Sequence, residues 1–373
     1  MLPVHRAIAR LLVAASVCGA AAVLAPNTAS AQVTVGGVVY AQYAYNASSD
    51  TLKADSSIAH INNFDITRAY VNVTGRFAGG ITTRVTADIF TNSAIAGSRL
   101  LRLKYAFATW TPDSSNLTFK LGQMQTPFVD YEEALWDYRM QGTVAVDRNS
   151  YMSSSDFGFA VDGKWNNDAF NFSAGIYNGE NYNGALGDNR KDLMARASFR
   201  LMGTDDGSRV GGLRLTGYAQ LGQPSSGGQR NRFIGLLSYR SQNLTLAAQY
   251  ATTTDSVTGG PTAPGNAGVV TASAQKKGSI ISAYGVFHFP QTRFALVGRV
   301  DVVNPNKDLT DSLRNAKGTP LATRIIAGVS YQVTPNVRLL ADVDALSYES
   351  AFKPSTAQLA ARTTANLHAQ FTF

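Results

Sequence analysis

The sequence has almost no cysteine and little histidine. Cys18 is the single cysteine in 373 residues, and the four histidines are His5, His60, His288 and His368. A chain without a cysteine pair cannot form an internal disulfide, so it is not a small secreted domain held together by disulfides. Paired ligands at a usable metal-binding spacing are also missing. We therefore predict no metal site and no cofactor.

Long apolar runs are missing after the first 31 residues. No window there approaches the about 18 apolar residues that a transmembrane helix needs. The start of the chain differs: it is positive, with Arg6 and Arg10, and it carries a small apolar stretch over residues 8–24 and the sequence Ala-Ser-Ala at 29–31. This pattern predicts a secretory signal peptide over 1–31, cut before Gln32. A membrane anchor is the alternative, which the short, alanine-rich run disfavours.

Acidic residues are scarcer than basic ones. The chain has 33 Lys and Arg against 25 Asp and Glu, a formal net charge of +8, and removal of 1–31 lowers it by two. A basic balance can indicate a nucleic-acid partner. Export, and the lack of a Lys/Arg-rich run or a nucleic-acid motif, argue against that partner here.

Apolar and polar residues alternate along the whole mature chain. Leu193, Ala195, Ala197 and Phe199 share one face of their segment, for example. In segment 99–110 the alternation places Leu101, Leu103, Tyr105 and Phe107 on the apolar face. Sixteen such segments predict strands. They are 33–45, 66–77, 81–90, 99–110, 117–124, 157–165, 169–177, 191–201, 211–221, 231–240, 243–253, 279–289, 292–303, 322–333, 336–347 and 359–373.

The connections between these segments alternate in length. Tight turns such as 78–80 and 166–168 alternate with long polar stretches at 46–65, 125–156 and 254–278. This asymmetry is typical of outer-membrane barrels, which have short periplasmic turns and long extracellular loops. A soluble β-sandwich is the alternative, but it would use shorter segments around one core. We predict an all-β, antiparallel up-and-down transmembrane barrel of about 16 strands over 32–373, with lipid outside and a water-filled lumen inside.

Several stretches resemble a known family. The terminal HAQFTF is similar to the C-terminal signature of bacterial outer-membrane barrels. FDITRAYVNVTGRF at 64–77 and KLGQMQTPF at 120–128 resemble motifs of the phosphate-selective porin O and P family, and later strands resemble it in the same order. The resemblance covers essentially the whole mature chain. It implies a bacterial outer-membrane protein with lipid around it, usually a homotrimer, that passes small anions or other small hydrophilic solutes.

The insertion at 125–156 is long enough to fold inward as the third extracellular loop and narrow the lumen. It carries more acids than bases, which indicates an acidic loop facing a basic wall. A strictly phosphate-selective filter needs more basic donors, so the insertion favours a less selective pore. Its charged candidates for the constriction are Asp130, Glu132, Glu133, Asp137, Arg139 and Arg148.

The wall supplies the other candidates. Seventeen basic residues and five acids lie on polar strand faces, and this excess should favour anions. Charges near strand ends, such as Arg240 and Arg338, are better read as rim residues. The best lining candidates fall near mid-height, although they could instead pair with loop carboxylates. They are Arg84, Arg102, Lys104, Lys120, Arg196 and Arg299.

These observations predict a porin for passive diffusion of small hydrophilic solutes, with a preference for anions, of which phosphate is one candidate. Two alternatives stay open, and both would have a blocked lumen. One is an enzymatic barrel, which needs a Ser/His or Asp/His constellation that the sequence does not show. The other is a structural or adhesive barrel. The low-complexity stretch at 252–278 is a solvated loop or a receptor surface.

Overall fold

The computed structural model describes residues 32–52, 58–91, 99–184, 189–224, 228–257, 274–316, 319–349 and 362–373. The predicted signal peptide, residues 1–31, lies outside these ranges. None of the described helices is both long and apolar enough to cross a membrane.

Sixteen strands form one closed, antiparallel barrel in which each strand pairs with its neighbours in sequence. The predicted fold class is therefore confirmed. The strands are β1 Gln32–Leu52, β2 Ile58–Phe77, β3 Ile81–Thr91, β4 Arg99–Trp110, β5 Leu117–Gln125, β6 Ser155–Trp165, β7 Phe170–Tyr177, β8 Asp192–Met202, β9 Gly212–Gly222, β10 Arg230–Arg240, β11 Leu244–Val257, β12 Ala274–His288, β13 Phe294–Asn304, β14 Ala322–Thr334, β15 Val337–Tyr348 and β16 Arg362–Thr372. Three helices are described: α1 Pro127–Leu135, α2 Ala145–Arg148 and α3 Asp311–Ala316.

The first and last strands close the barrel. β1 and β16 pair in antiparallel register from Val38 opposite Thr372 to Asn46 opposite Thr364. Gly37 and Phe373 exchange two backbone hydrogen bonds, of 2.8 and 3.0 Å. Both chain ends of the barrel domain therefore lie at the end that carries the short turns.

The predicted apolar faces point outward. Leu193 and Phe199 of β8 are 51% and 52% exposed, whereas Arg196 on the opposite face is buried. Aromatic rings gather on the outer surface near the short turns, where Trp165 stacks on Phe170 at a centroid distance of 5.6 Å. The outer surface is thus an apolar band with aromatic residues at one rim.

The tight turns use backbone conformations that few residues adopt easily. In the β6–β7 turn, Asn166, Asn167 and Asp168 have φ of 50°, 50° and 65°. Asn and Asp tolerate this left-handed region better than most side chains. In the β2–β3 turn, Gly80 has φ of 76°, and a Cβ there would lie 2.0 Å from the carbonyl oxygen of Thr111.

Two predicted loops are shorter than expected. The stretch 46–65 is largely strand, because β1 continues to Leu52 and β2 begins at Ile58. The two ends of 252–278 are also strand, through Val257 and from Ala274, and its middle lies outside the described residues. These strand ends are mostly polar, and their few apolar residues, such as Ile58, Ile61 and Phe64, do not alternate regularly with polar ones. Alternation of apolar residues therefore could not reveal them.

A β-bulge in β4 turns Tyr105 and Phe107 toward the interior, whereas the alternation predicts that they face outward. The β3–β4 register shifts between Thr86 and Ala87, whose partners are Tyr105 and Leu103, so Lys104 has no partner in the ladder. The extra residue reverses the alternation that follows it. Lys104 and Tyr105 are both buried, and Phe107 packs against the buried cluster instead of facing outward.

Candidate functional site

The insertion between β5 and β6 contacts the polar faces of strands on several sides of the barrel. The Tyr131 hydroxyl lies 2.8 Å from the Ser198 hydroxyl of β8. The Tyr138 hydroxyl lies 2.7 Å from the Ser330 hydroxyl of β14. Polar hydroxyls thus fix the rings of this segment against side chains of two separate strands.

Five arginines hold the insertion by its backbone. Each donates a hydrogen bond to a different carbonyl oxygen, so the contacts do not depend on the insertion's side chains. They join Arg209 to Asp130 at 2.8 Å, Arg240 to Ala134 at 2.5 Å, Arg338 to Asp137 at 2.8 Å, Arg299 to Thr143 at 2.9 Å and Arg232 to Tyr151 at 2.9 Å. We call this set the arginine clamp. Part of the basic charge of the wall is therefore used to position the insertion.

A cavity of about 260 Å³ lies between the insertion and the wall formed by β1 to β4. We call it the constriction cavity. It brings together Arg84 and Lys104 from the wall and Glu133, Asp137 and Arg139 from the insertion. Tyr40, Tyr70 and Tyr105 line it as well. Five of the twelve charged residues that the sequence analysis names as pore-lining candidates thus line this one cavity.

The two wall cations of this cavity have polar partners that are not carboxylates. Arg84 donates to the Asn72 side-chain oxygen at 2.8 Å and to the Thr86 hydroxyl at 3.1 Å. Lys104 donates to the Tyr70 hydroxyl at 3.2 Å. Within the described residues, no carboxylate oxygen lies within 4.0 Å of either cation. Their charges are therefore not neutralised by a direct ion pair.

The same cations lie against aromatic rings. The Arg84 guanidinium carbon is 5.0 Å from the Tyr105 ring centre, and the Lys104 ammonium is 5.4 Å from it. Lys104 also lies 4.6 Å from the Tyr70 ring centre. The ring faces attract the cations and hold them without cancelling their charge.

The acids of the insertion are mostly paired. Glu133 accepts from Arg139 at 3.1 Å. Asp137 lies 3.0 Å from Arg338, and Asp130 lies 2.7 Å from Arg209. Arg209 lowers the pKa of Asp130, although burial alone would raise it. The insertion consequently presents less free negative charge than its composition indicated.

A second cavity, of about 450 Å³, brings together Lys120, Asp130 and Arg196 on another side of the insertion. Lys120 pairs with Asp162 of β6 at 2.7 Å. Arg196 donates to the Asn171 side chain at 2.6 Å. Lys120 and Arg196 thus contact side chains of the wall strands β6 and β7, and among the described residues neither forms an ion pair with a carboxylate of the insertion.

Glu132, Arg148 and Arg299 form a buried cluster between the insertion and β13. Arg299 lies 2.9 Å from Asp301. Burial raises the pKa of Glu132 to about 8, although Arg299 counteracts this effect. Burial, together with the neighbouring Arg299, lowers the pKa of Arg148 to about 9. These side chains join the insertion to the wall and do not line the constriction cavity.

Arg102 is separate from these three groups. It pairs with Asp88 at 2.7 Å and donates to Asn183 at 2.6 Å. Arg68 pairs with the same carboxylate of Asp88 at 2.9 Å. Arg102 therefore shares a buried acid with another arginine on the wall.

The histidines add one arrangement that the sequence did not show. His368 of β16 lies 2.8 Å from the Asp342 carboxylate of β15. The two side chains are 3% and 0% exposed, so the pair is closed to a solute. Within the described ranges, no group of three or more His, Cys, Asp or Glu is arranged to hold a metal ion.

Three features of the constriction cavity and the arginine clamp were not predicted from the sequence. Tyr40 and Tyr70 lie on polar faces of their strands, and this position in the alternation is a signal for lumen-facing residues that carry no charge. The alternation places Tyr105 on the outer face, because no local pattern indicates the bulge. The role of Arg240 and Arg338 in holding the insertion depends on contacts more than 100 residues away in sequence.

Comparison with solved structures shows the fold. The Salmonella typhi OmpF structure, determined with daunomycin, matches with a TM-score of 0.59 and 15% identity over 91% of this chain and 97% of that one. The outer-membrane channel DcaP of Acinetobacter baumannii matches with a TM-score of 0.58 and 13% identity over 92% and 97%. A Vibrio cholerae outer-membrane protein, OmpT, matches with a TM-score of 0.58 and 11% identity over 92% and 98%.

No protein-family model matches the sequence, and no curated protein matches it. Identities of this size establish a shared architecture and nothing finer. The resemblance to phosphate-selective porins O and P stays a prediction, and the chain has the fold of outer-membrane channel proteins.

Proposed function

We propose that this protein is a porin of the bacterial outer membrane through which small hydrophilic solutes diffuse, with a preference for anions. The insertion at 126–154 is its constriction loop, and the constriction cavity is the narrow part of its path. Export through a cleaved signal peptide and assembly into a homotrimer belong to the same proposal.

The outer surface supports a membrane location. Leu101, Leu121 and Leu193 are 70%, 65% and 51% exposed on successive regions of the wall. Such apolar side chains are favourable in lipid and unfavourable in water. The aromatic residues at the short-turn rim match the interfacial girdle of transmembrane barrels.

The single observation that supports the anion preference is the pair Arg84 and Lys104. Both line the constriction cavity, and neither has a carboxylate partner among the described residues. Glu133 and Asp137 lie in the same cavity but are paired with arginines. An uncompensated positive charge in a narrow, low-dielectric path concentrates anions.

Conductance in planar bilayers tests this proposal. In a KCl gradient, the reversal potential should have the sign of anion selectivity. Arg84→Gln combined with Lys104→Gln should reduce the anion-over-cation permeability ratio by about twofold or more, because it removes both uncompensated charges.

Arg293→Gln is the matched control. Arg293 donates to the Val333 carbonyl at the short-turn end and lies outside the cavity. It should leave the permeability ratio close to that of the parent protein. Absence of any conductance would reject the pore and favour a structural barrel with a blocked lumen, and a cation-selective parent protein would reject the charge argument.

A further inference from the structure

The constriction cavity carries more hydrogen-bond donors than its own protein groups use. The hydroxyls of Tyr40 and Tyr105 make no hydrogen bond with any described residue, and neither is enclosed away from the cavity. A buried or half-buried phenol usually has a partner. Two phenols without one, in the same cavity, indicate that a ligand or water supplies it.

The cations in the cavity have spare donors as well. Arg84 uses its Nε and one terminal nitrogen, which leaves the other terminal nitrogen free among the described contacts. Lys104 uses one of its three protons on Tyr70. Because the Tyr70 oxygen accepts that proton, its own hydroxyl proton remains available.

These donors share one space. Tyr40, Tyr70, Tyr105, Arg84 and Lys104 all line the cavity of about 260 Å³. Lys104 is 4% exposed, so its ammonium is largely removed from bulk water. A buried cation without an anionic partner is costly, and an oxyanion that accepts from it and from phenols would offset that cost.

The opposite side of the cavity is balanced in charge and partly apolar. Glu133 and Asp137 contribute their carboxylates there, and each is paired with an arginine, so this side offers no net positive charge to a second anionic group on the ligand. Val38 and Trp136 add apolar surface that a carbon skeleton can contact. Both features favour a singly charged organic acid over inorganic phosphate.

We propose that the constriction cavity is a binding station for small monocarboxylates, with the carboxylate accepting from Lys104, Arg84 and the hydroxyls of Tyr40, Tyr70 and Tyr105. This inference rests on the proposed function and names the solute class of that same site. Binding on the path makes transport saturable, because a bound solute must leave before the next one enters.

Conductance as a function of salt concentration tests the station. With potassium acetate or potassium benzoate, the conductance of the parent protein should saturate, whereas with KCl it should rise steeply over the same range. Tyr40→Phe combined with Tyr105→Phe removes two hydroxyls and keeps both rings. The half-saturating carboxylate concentration should rise on the order of tenfold, the effect of one or two hydrogen bonds to a charged group.

Tyr250→Phe is the control, since Tyr250 is 50% exposed on the outer surface. It should leave the half-saturating concentration unchanged. A parent protein that conducts with anion selectivity but shows linear conductance in carboxylate salts would overturn the station and leave the porin intact. Saturation in phosphate at lower concentration than in acetate would also overturn it. Absence of conductance in every salt would instead reject the proposed function.

Discussion

Glu132 is an acid of the insertion whose pKa is raised by burial. It is 0% exposed, and Gln249 of β11 donates to one of its oxygens at 2.7 Å. Its other oxygen and the Gln249 side-chain oxygen lack hydrogen-bond partners among the described residues. A proton on Glu132 would let it donate to that amide oxygen, so the neutral acid suits this position better than the carboxylate.

The sign of the resulting pH dependence follows from linkage. The pKa of Glu132 is raised from 4.5 to about 8 by burial, so the folded protein binds a proton that the unfolded chain releases between these values. Stability should therefore fall as pH rises from about 5 to 8. Glu132→Gln should remove this slope and make the protein more stable at pH 8 by about 1 kcal/mol or more.

Unfolding in detergent, followed by strand circular dichroism at several pH values, measures this effect. Glu133→Gln is the matched control, because Glu133 is paired with Arg139 and lies in the open cavity. The control should retain the slope. An unchanged slope in Glu132→Gln would show that another group causes the pH dependence.

At the scale of elements, the insertion is held in place mainly by contacts with the barrel wall. α1 begins with proline at its first turn and has no side-chain cap hydrogen bond at its N-terminal boundary. Near its C-terminal end, Arg240 donates to the Ala134 carbonyl, where a positive charge complements the helix dipole. A helix of 9 residues is marginal by itself, so the wall contacts supply most of its order.

Arg240→Gln combined with Arg338→Gln should loosen the insertion without opening the barrel. The change removes two of the five contacts of the arginine clamp, each a charge-assisted hydrogen bond worth roughly 1.5–3 kcal/mol. We expect noisier single-channel currents and faster proteolysis within 134–144, with the same strand circular dichroism. Arg293→Gln serves as the control for loss of a charge, and equal noise in both variants would contradict the clamp.

Some features of the strands and of the insertion could be predicted from the sequence, and others could not. Strand positions follow from alternation, because each strand divides an apolar exterior from a polar interior. The bulge at Lys104 adds one residue without changing composition, so the reversal at Tyr105 had no local signal. The number of acids in the insertion follows from the sequence, but their pairing with Arg209 and Arg338 depends on the three-dimensional path of the chain.

At the scale of the whole molecule, the sixteen strands close into a barrel, so that each strand pairs along both of its edges. The sequence allowed the barrel to be predicted because sixteen two-faced segments have no other way to satisfy their edges in lipid. Register and cavity shape could not be predicted in the same way. They depend on side-chain volumes and on long-range contacts such as Tyr138 with Ser330, which are 192 residues apart.

Closure gives a prediction that concerns the complete chain. Removal of 362–373 leaves β1 and β15 with unpaired edges, since β16 pairs with both. Unpaired backbone groups in lipid cost several kcal/mol each, so this truncated chain should not insert or conduct. Conductance and strand circular dichroism after refolding into detergent measure the loss.

A circular permutant keeps all sixteen strands and is the matched comparison for that truncation. New ends are placed in the β2–β3 turn at 78–80, and a linker joins Phe373 to Gln32. Gln32 lies five residues beyond Gly37, the partner of Phe373, so the linker must return over about 17 Å at the rise of a strand. About eight flexible residues cover that distance. The permutant should fold and conduct like the parent protein, because every strand pair is retained. If the permutant fails while the truncated chain conducts, closure by β1 and β16 is not what sustains the barrel.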